Sequence, residues 1–173
     1  MRSTHTARRE DGQATVEFAI VIPLLLLLIV GIFEFGKAFN YWIDLNHLSN
    51  EGARWAAVDK VPPYAGNPGQ SDPTCMQIKN FLLSQMNTGD LQNKVKGNPP
   101  DAQVSNIKLS VPNPSGPTPQ IGDAVEVSIQ APDYSIASVS GFLGDLGTIT
   151  LGAKSTMRLE QVPSWLPPGE TEC

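Results

Sequence analysis

Residues 12–57 read GQATVEFAIVIPLLLLLIVGIFEFGKAFNYWIDLNHLSNEGARWAA, and most of what the chain can be follows from them. Phe18 to Phe33 is a run of 16 residues without a charge. Adding Ala14 to Val16 and Phe35 brings it close to the roughly 20 residues that an α-helix needs to cross a bilayer. Glu17 and Glu34 bracket the run, where a carboxylate costs far less than at the bilayer midplane. Pro23 falls one or two turns into this helix, where it removes one backbone hydrogen bond and is expected to kink it.

The flanks set orientation. Arg2, Arg8 and Arg9 precede the run, and an excess of basic residues beside a span places that side in the cytoplasm. A cleavable secretory signal also pairs a basic leader with an apolar core. Here, however, the run is followed by Glu34-Phe35-Gly36-Lys37-Ala38-Phe39, bulky where a small-x-small cleavage site belongs. The expected product is a single-pass protein of the cell membrane, with its N-terminus cytoplasmic and its C-terminal head outside.

Composition agrees with that division. The chain has 173 residues and a formal net charge of -5. From Glu34 onward 9 Lys and Arg stand against 14 Asp and Glu. Without a cluster of basic residues there is no surface to release counterions from a phosphate backbone, so nucleic acid is excluded as a partner.

Immediately before the span comes Arg8-Arg9-Glu10-Asp11-Gly12-Gln13-Ala14-Thr15-Val16-Glu17-Phe18. A cut after Gly12 would give Gln13 a new amino group, and Glu17 lies four residues on, along the same helix face. The pairing of opposite charges shields a carboxylate at the lipid edge, within one subunit or between neighbours. Negative charge in a first helical turn is also favoured by the helix dipole. Gly12 suits a peptidase cleft because it lets another backbone approach closely.

This segment looks like a type IV prepilin processing site, with a charged leader, a Gly at the cut and a Glu at the fifth mature position. From Gly12 to about Ala57 the sequence resembles the N-terminal region of the TadE family, pilin-like proteins of tight-adherence (Flp pilus) systems. The resemblance rests on the Val-Glu-Phe start, the early proline in a leucine-rich span, the Glu-Phe-Gly exit and Glu-Gly-Ala-Arg at 51–54. It implies processing at Gly12, Gln13, Glu17 and Phe18 by a prepilin peptidase. It also implies partnership with membrane lipid, with other pilin-like subunits and with the pilus assembly machinery, in assembling or priming a pilus.

Beyond the span Phe35, Ala38, Phe39, Trp42, Leu45 and Leu48 recur at three- and four-residue steps. The helix is therefore expected to continue to Val58 as an amphipathic rod, about 70 Å in all. Ser49, Gly52, Ala53, Ala56 and Ala57 follow. Such small residues admit close approach of either a second helix or the chain's own head. Prolines and glycines make 61–73 a loop. Ile78, Phe81, Leu82 and Met86 share a face of a second helix between Thr74 and Thr88, with Gly89 as its cap.

Period-two alternation then marks Val125 to Gln130 and Ile149 to Glu160 as strands, with Val104 to Val111 a third and 112–119 a connecting loop. Residues 135–146 are ambiguous, a short helix ending at the glycines being one reading. The sum is an α+β chain: leader 1–12, span 13–35, amphipathic continuation 36–60, and a pilin-like antiparallel head over 61–173 with a Pro-rich tail.

Cys75 and Cys173 are the only cysteines. A bridge between them would close a loop of about 100 residues and add about 4 to 5 kcal/mol in the chain-entropy model. It is the preferred reading over unpaired thiols or an intermolecular bridge, since a Pro-rich tail otherwise frays.

No nucleophile elbow, phosphate-binding loop or zinc helix is present, so no catalytic residue, metal, cofactor or small-molecule substrate is expected. Asp44, His47 and Glu51 share a helix face and read as a solvated polar surface rather than metal ligands. The functional alternative is a singly anchored surface protein whose head binds a ligand or cell-wall component. A membrane-anchored hydrolase would need a polar constellation that two histidines do not supply.

Overall fold

The computed structural model describes residues 10–62, 74–97, 104–135, 148–167 and 169–173. In chain order these form helices α1 (Glu10–Val58), α2 (Cys75–Gln85) and α3 (Gly89–Lys96), then strands β1 (Ile107–Ser110), β2 (Ala124–Ser135) and β3 (Thr148–Arg158). The architecture is α+β, with one long N-terminal helix and a small antiparallel sheet, consistent with a pilin-like fold. The leader's Arg2, Arg8 and Arg9, most of the 61–73 loop and the ambiguous stretch 136–146 lie outside the described residues.

The chain divides into two units. In the first, the described residues are 10–37, all of them in α1. Their large apolar side chains, from Val16 to Phe35, are mostly exposed. The helix continues through Pro23.

The second unit, 38–135 with 148–173, holds the core. Its sheet has the order β1-β2-β3, antiparallel throughout. Ile107 pairs with Ile129, and Val127 pairs with Ser155. Val125, Val127, Ile129 and Ala131 of β2 all point inward and are fully buried. The alternate positions face out, where Lys154 Nζ stands 2.7 Å from Glu126 Oε2. Near the end of β2 the register slips between Ala131 and Tyr134, and Asp133 takes a φ of 56°, placing one extra residue in the strand.

The stripe expected to form one face of α1 splits in two. Leu45 and Leu48 are buried in the core with Tyr41, whereas Phe35, Phe39 and Trp42 remain exposed. The apolar arc is wider than the contact the helix makes, and three- and four-residue spacing alone does not say which edge of an arc is covered. The small residues meet the chain's own head. Gly52, Ala53, Ala56 and Ala57 are all buried, and a Cβ on Gly52 would stand 2.8 Å from Leu82 Cδ1 and 3.2 Å from Val127 Cγ1. That position leaves room for no side chain, because α1 touches α2 and β2 there at once.

The second helix stops earlier than expected. Thr74 and Gln77 form a capping box at the start of α2, but its C-cap is Met86 and a new helix begins at Gly89. Two contacts interrupt it. Asp44 accepts hydrogen bonds from Asn87 N and Nδ2 at 3.2 and 2.8 Å, and the Thr88 hydroxyl accepts the Leu91 N–H to cap α3. Gly89 is therefore the first residue of α3, not a cap. Gly97, with φ 81°, ends that helix instead.

The C-terminal residues are bound tightly. Cys75 and Cys173 form a disulfide with Cα atoms 6.4 Å apart, spanning 98 residues. Cys173 exchanges both backbone hydrogen bonds with Leu109, and Val111 N donates to Thr171 O at 2.7 Å. Trp165, almost fully buried, donates its indole N–H to Ala56 O at 3.0 Å, and Glu160 N donates to Ala57 O at 2.9 Å. Two carbonyls that a helix C-terminus leaves without intrahelical partners are thus satisfied by the last third of the chain. Asp59, in the left-handed region at φ 50°, ends the turn and accepts from Ser164 N and Oγ.

Asp123, at the foot of β2, organises the loop before it. Its carboxylate accepts from Ser115 Oγ, from Ser115 N and from Gln120 N. These bonds, the Ser115 hydroxyl first, hold the Asp123 carboxyl below its ordinary value.

Two outcomes are expected. Gly52→Val should destabilise the full chain in detergent by about 1–3 kcal/mol through overpacking. Gly36→Val, where a Cβ meets nothing within 4 Å, should be near neutral; equal thermal shifts for the two would contradict the close approach. A carboxyl with a depressed folded pKa stabilises above its unfolded value of about 3.9 and loses that contribution as pH falls. The melting-temperature gap between wild type and Asp123→Asn should therefore be full at pH 6 and shrink as pH falls below about 4. A pH-independent gap would contradict this account of Asp123.

Candidate functional site: the N-terminal end of α1

The segment singled out by sequence lies in the first turns of α1. Gln13 and Glu17 share a face: Gln13 Nε2 donates to Glu17 Oε1 at 3.2 Å, in the open. That contact is the i, i+4 geometry expected from the spacing, here made by the glutamine side chain. Gly12 has nothing within 4 Å of where a Cβ would stand, so its flank is sterically open. Phe18, the next bulky residue, is 65% exposed.

From there α1 presents an apolar surface that no other described part of the chain covers. None of its most apolar 18-residue window is buried, and by length and composition the helix is sufficient to cross a membrane. Phe18 and Phe33 lie on this exposed stretch, with Pro23 between them. At its far end Glu34 is buried and its Oε2 stands 3.7 Å from Lys37 Nζ. An acid of this kind reads in sequence as an ordinary interfacial carboxylate, and nothing in the spacing of Glu34 and Lys37 announces its burial.

The other candidate polar face is structural. Asp44, expected on a solvated surface with His47 and Glu51, is buried by its bonds to Asn87 and so cannot share an exposed cluster with them. Among the described residues no group of three His, Cys, Asp or Glu is placed to hold a metal ion. The clefts of the second unit mix charges of both signs. One brings together His47, Glu51, Arg54 and Trp55, and another Lys79, Lys108, Glu170 and Glu172. In the latter, burial of Lys79, reinforced by the Lys108 charge, holds its ammonium below the ordinary lysine range.

Two anchoring residues carry little signal in the sequence. Trp165 sits in a Pro-rich stretch that reads as tail, and its one signal is a large aromatic among residues that otherwise do not pack. Thr88 reads in sequence as a helix end. The Thr88, Leu91, Val95, Gly97 pattern carries a cap, an apolar i, i+4 pair and a stop, the signature of α3.

An exposed apolar helix, opened by Gly12 and a Gln13–Glu17 pair and closed by small residues against a head, is what the family comparison then matches. Residues 12–54 match the TadE-like protein family. No curated protein and no solved structure matches the chain. The TadE-like match implies involvement in tight-adherence (Tad/Flp) pilus systems, through a family that is not typically enzymatic. The matched segment ends at Arg54, two residues beyond the glycine on which α1 closes against α2 and β2. It thus includes the exposed apolar stretch and most of the helix that carries the core, and none of the sheet.

Proposed function

We propose that this chain is a pilin-like membrane protein that takes part in assembling or priming a tight-adherence pilus after a prepilin peptidase removes residues 1–12. The observation that carries the reading is the Gln13–Glu17 contact at the head of an uncovered apolar helix within the TadE-like segment. Cleavage after Gly12 converts the backbone nitrogen of Gln13 into an ammonium, four residues before Glu17. The carboxylate then has a cation one turn away on its own helix, in addition to the amide it already binds. In a filament the same carboxylate can instead receive the ammonium of a neighbouring subunit. Exchange between these partners costs little, since both are charge-assisted hydrogen bonds of similar strength.

The apolar helix supports the rest of the proposal. It holds the unprocessed chain in the bilayer with the leader on the cytoplasmic side, by the bias of Arg2, Arg8 and Arg9. Prepilin peptidase, membrane lipid, other pilin-like subunits and the assembly machinery are its partners. The head, pinned by its disulfide, lies on the extracytoplasmic side, where an oxidising environment sustains the bridge.

The test is intact-mass and N-terminal analysis of the membrane-extracted protein from cells with and without the peptidase. A mature chain beginning at Gln13 is expected only in peptidase-competent cells, and Gly12→Val should retain the leader. Glu17→Gln should be cleaved normally yet fail to support pilus formation. Persistence of residues 1–12 in competent cells would reduce the chain to a tethered surface protein.

A further inference from the structure

Part of the α1 stripe is exposed and stands outside the buried core. Phe35, Phe39, Trp42 and Ile43 are 73%, 50%, 46% and 49% exposed. On the other side of the same turns Tyr41, Leu45 and Leu48 are buried in the head. The exposed residues are not scattered: the rings of Phe39 and Trp42 stack at 5.8 Å with planes 29° apart. They follow in sequence on the exposed apolar residues that run from Val16 to Phe33. Solvent alone is a poor environment for a patch of this kind beside a membrane-length helix.

We propose that Phe39, Trp42 and Ile43 form a belt seated in the headgroup–acyl boundary of the leaflet nearest the head, so that the first turns of the emerging helix are part of the membrane anchor. The inference rests on the reading of α1 as a membrane span. Depth supports it. If the 20 residues from Val16 to Phe35 fill the hydrocarbon layer of about 30 Å, Phe39 lies about 6 Å and Trp42 about 10 Å further along the axis. The interfacial zone is about 5–8 Å thick on each side. Helical side chains lean toward the N-terminus, which brings the Trp42 ring back toward that zone.

Chemistry supports it too. Tryptophan and other aromatics favour the interface, being apolar in body with a face that tolerates headgroup charge. Lys37, with a side chain 57% exposed, has the flexible stem by which a cation reaches headgroups from within the layer. The polarity then changes: Asn46, His47 and Asn50 follow on the outer turns.

A second copy of the chain is the competing occupant. Close helix–helix contact relies on small residues, and the cluster of them that α1 carries, Ser49, Gly52, Ala53 and Ala56, is buried in its own head. The outer face presents bulky rings instead.

The experiment is site-specific photocrosslinking of the full chain reconstituted in phosphatidylethanolamine–phosphatidylglycerol bilayers. p-Benzoylphenylalanine replaces Phe39 or Trp42, with Leu26 as the mid-span reference and the exposed head residue Ile121 as the negative reference. Lipid adducts are expected at Phe39 and Trp42 at a yield comparable to Leu26 and at least several-fold above Ile121. Lipid adducts at Leu26 with none at Phe39 and Trp42, or chain-to-chain adducts at those two positions, would overturn the belt while leaving the span intact. Absence of lipid adducts at Leu26 would overturn the span, and the belt with it.

Discussion

One helix has to satisfy two solvents, and that constraint arranges everything else. From Phe18 to Phe33, α1 is apolar on every side, a surface that fits a lipid environment. From Ala38 it must carry a folded head against its side, and it does so with small residues. At Gly52 the helix comes within van der Waals distance of Leu82 and Val127 at the same point. A side chain there would lift α1 off α2 and β2 together, and the inward row of β2 would lose its cover. The core of the second unit is organised around this approach, with Leu45 and Leu48 on one side of it and the carbonyls of Ala56 and Ala57 on the other.

The same constraint gives the matched family segment a physical meaning. Its N-terminal part supplies the membrane-length surface with Gly12, Gln13 and Glu17 at the mouth. Its C-terminal part supplies the seat for the head, in Glu-Gly-Ala-Arg at 51–54. Gly52 and Ala53 there are explained by packing within one chain, against α2 and β2. The sheet lies outside the match and needs only to present an alternating apolar face, a requirement that many sequences meet.

Much of this was legible beforehand, for reasons that differ by element. The span is a matter of length and composition, and Val125, Val127 and Ile129 alternate too strictly to be anything but a half-buried strand. That Gln13 and Glu17 share a face follows from helical spacing, but the bond between them comes from the Gln13 side chain, not from the backbone nitrogen to which the spacing drew attention. What sequence did not reveal depended on long-range partners. Leu45 and Phe39 are alike in pattern, and only the position of the head separates a buried one from an exposed one. Asp44 stops α2 from running to Thr88 through a bond made 43 residues away. Trp165 docks on Ala56 across 109 residues. Local periodicity carries no information about such pairings.

The pairing of residues 171–173 with β1 has a consequence for how the head meets other chains. A sheet margin with open amide and carbonyl groups is a template for other chains, and a three-stranded sheet has two such margins. On the β1 side the margin is closed by Thr171 and Cys173, and Cys75 fixes that closure covalently to α2. Oxidation thus does more than restrict the unfolded chain: it locks a shield over a surface where subunits could otherwise polymerise through their backbones. The safeguard against that disordered stacking resides in residues 171–173.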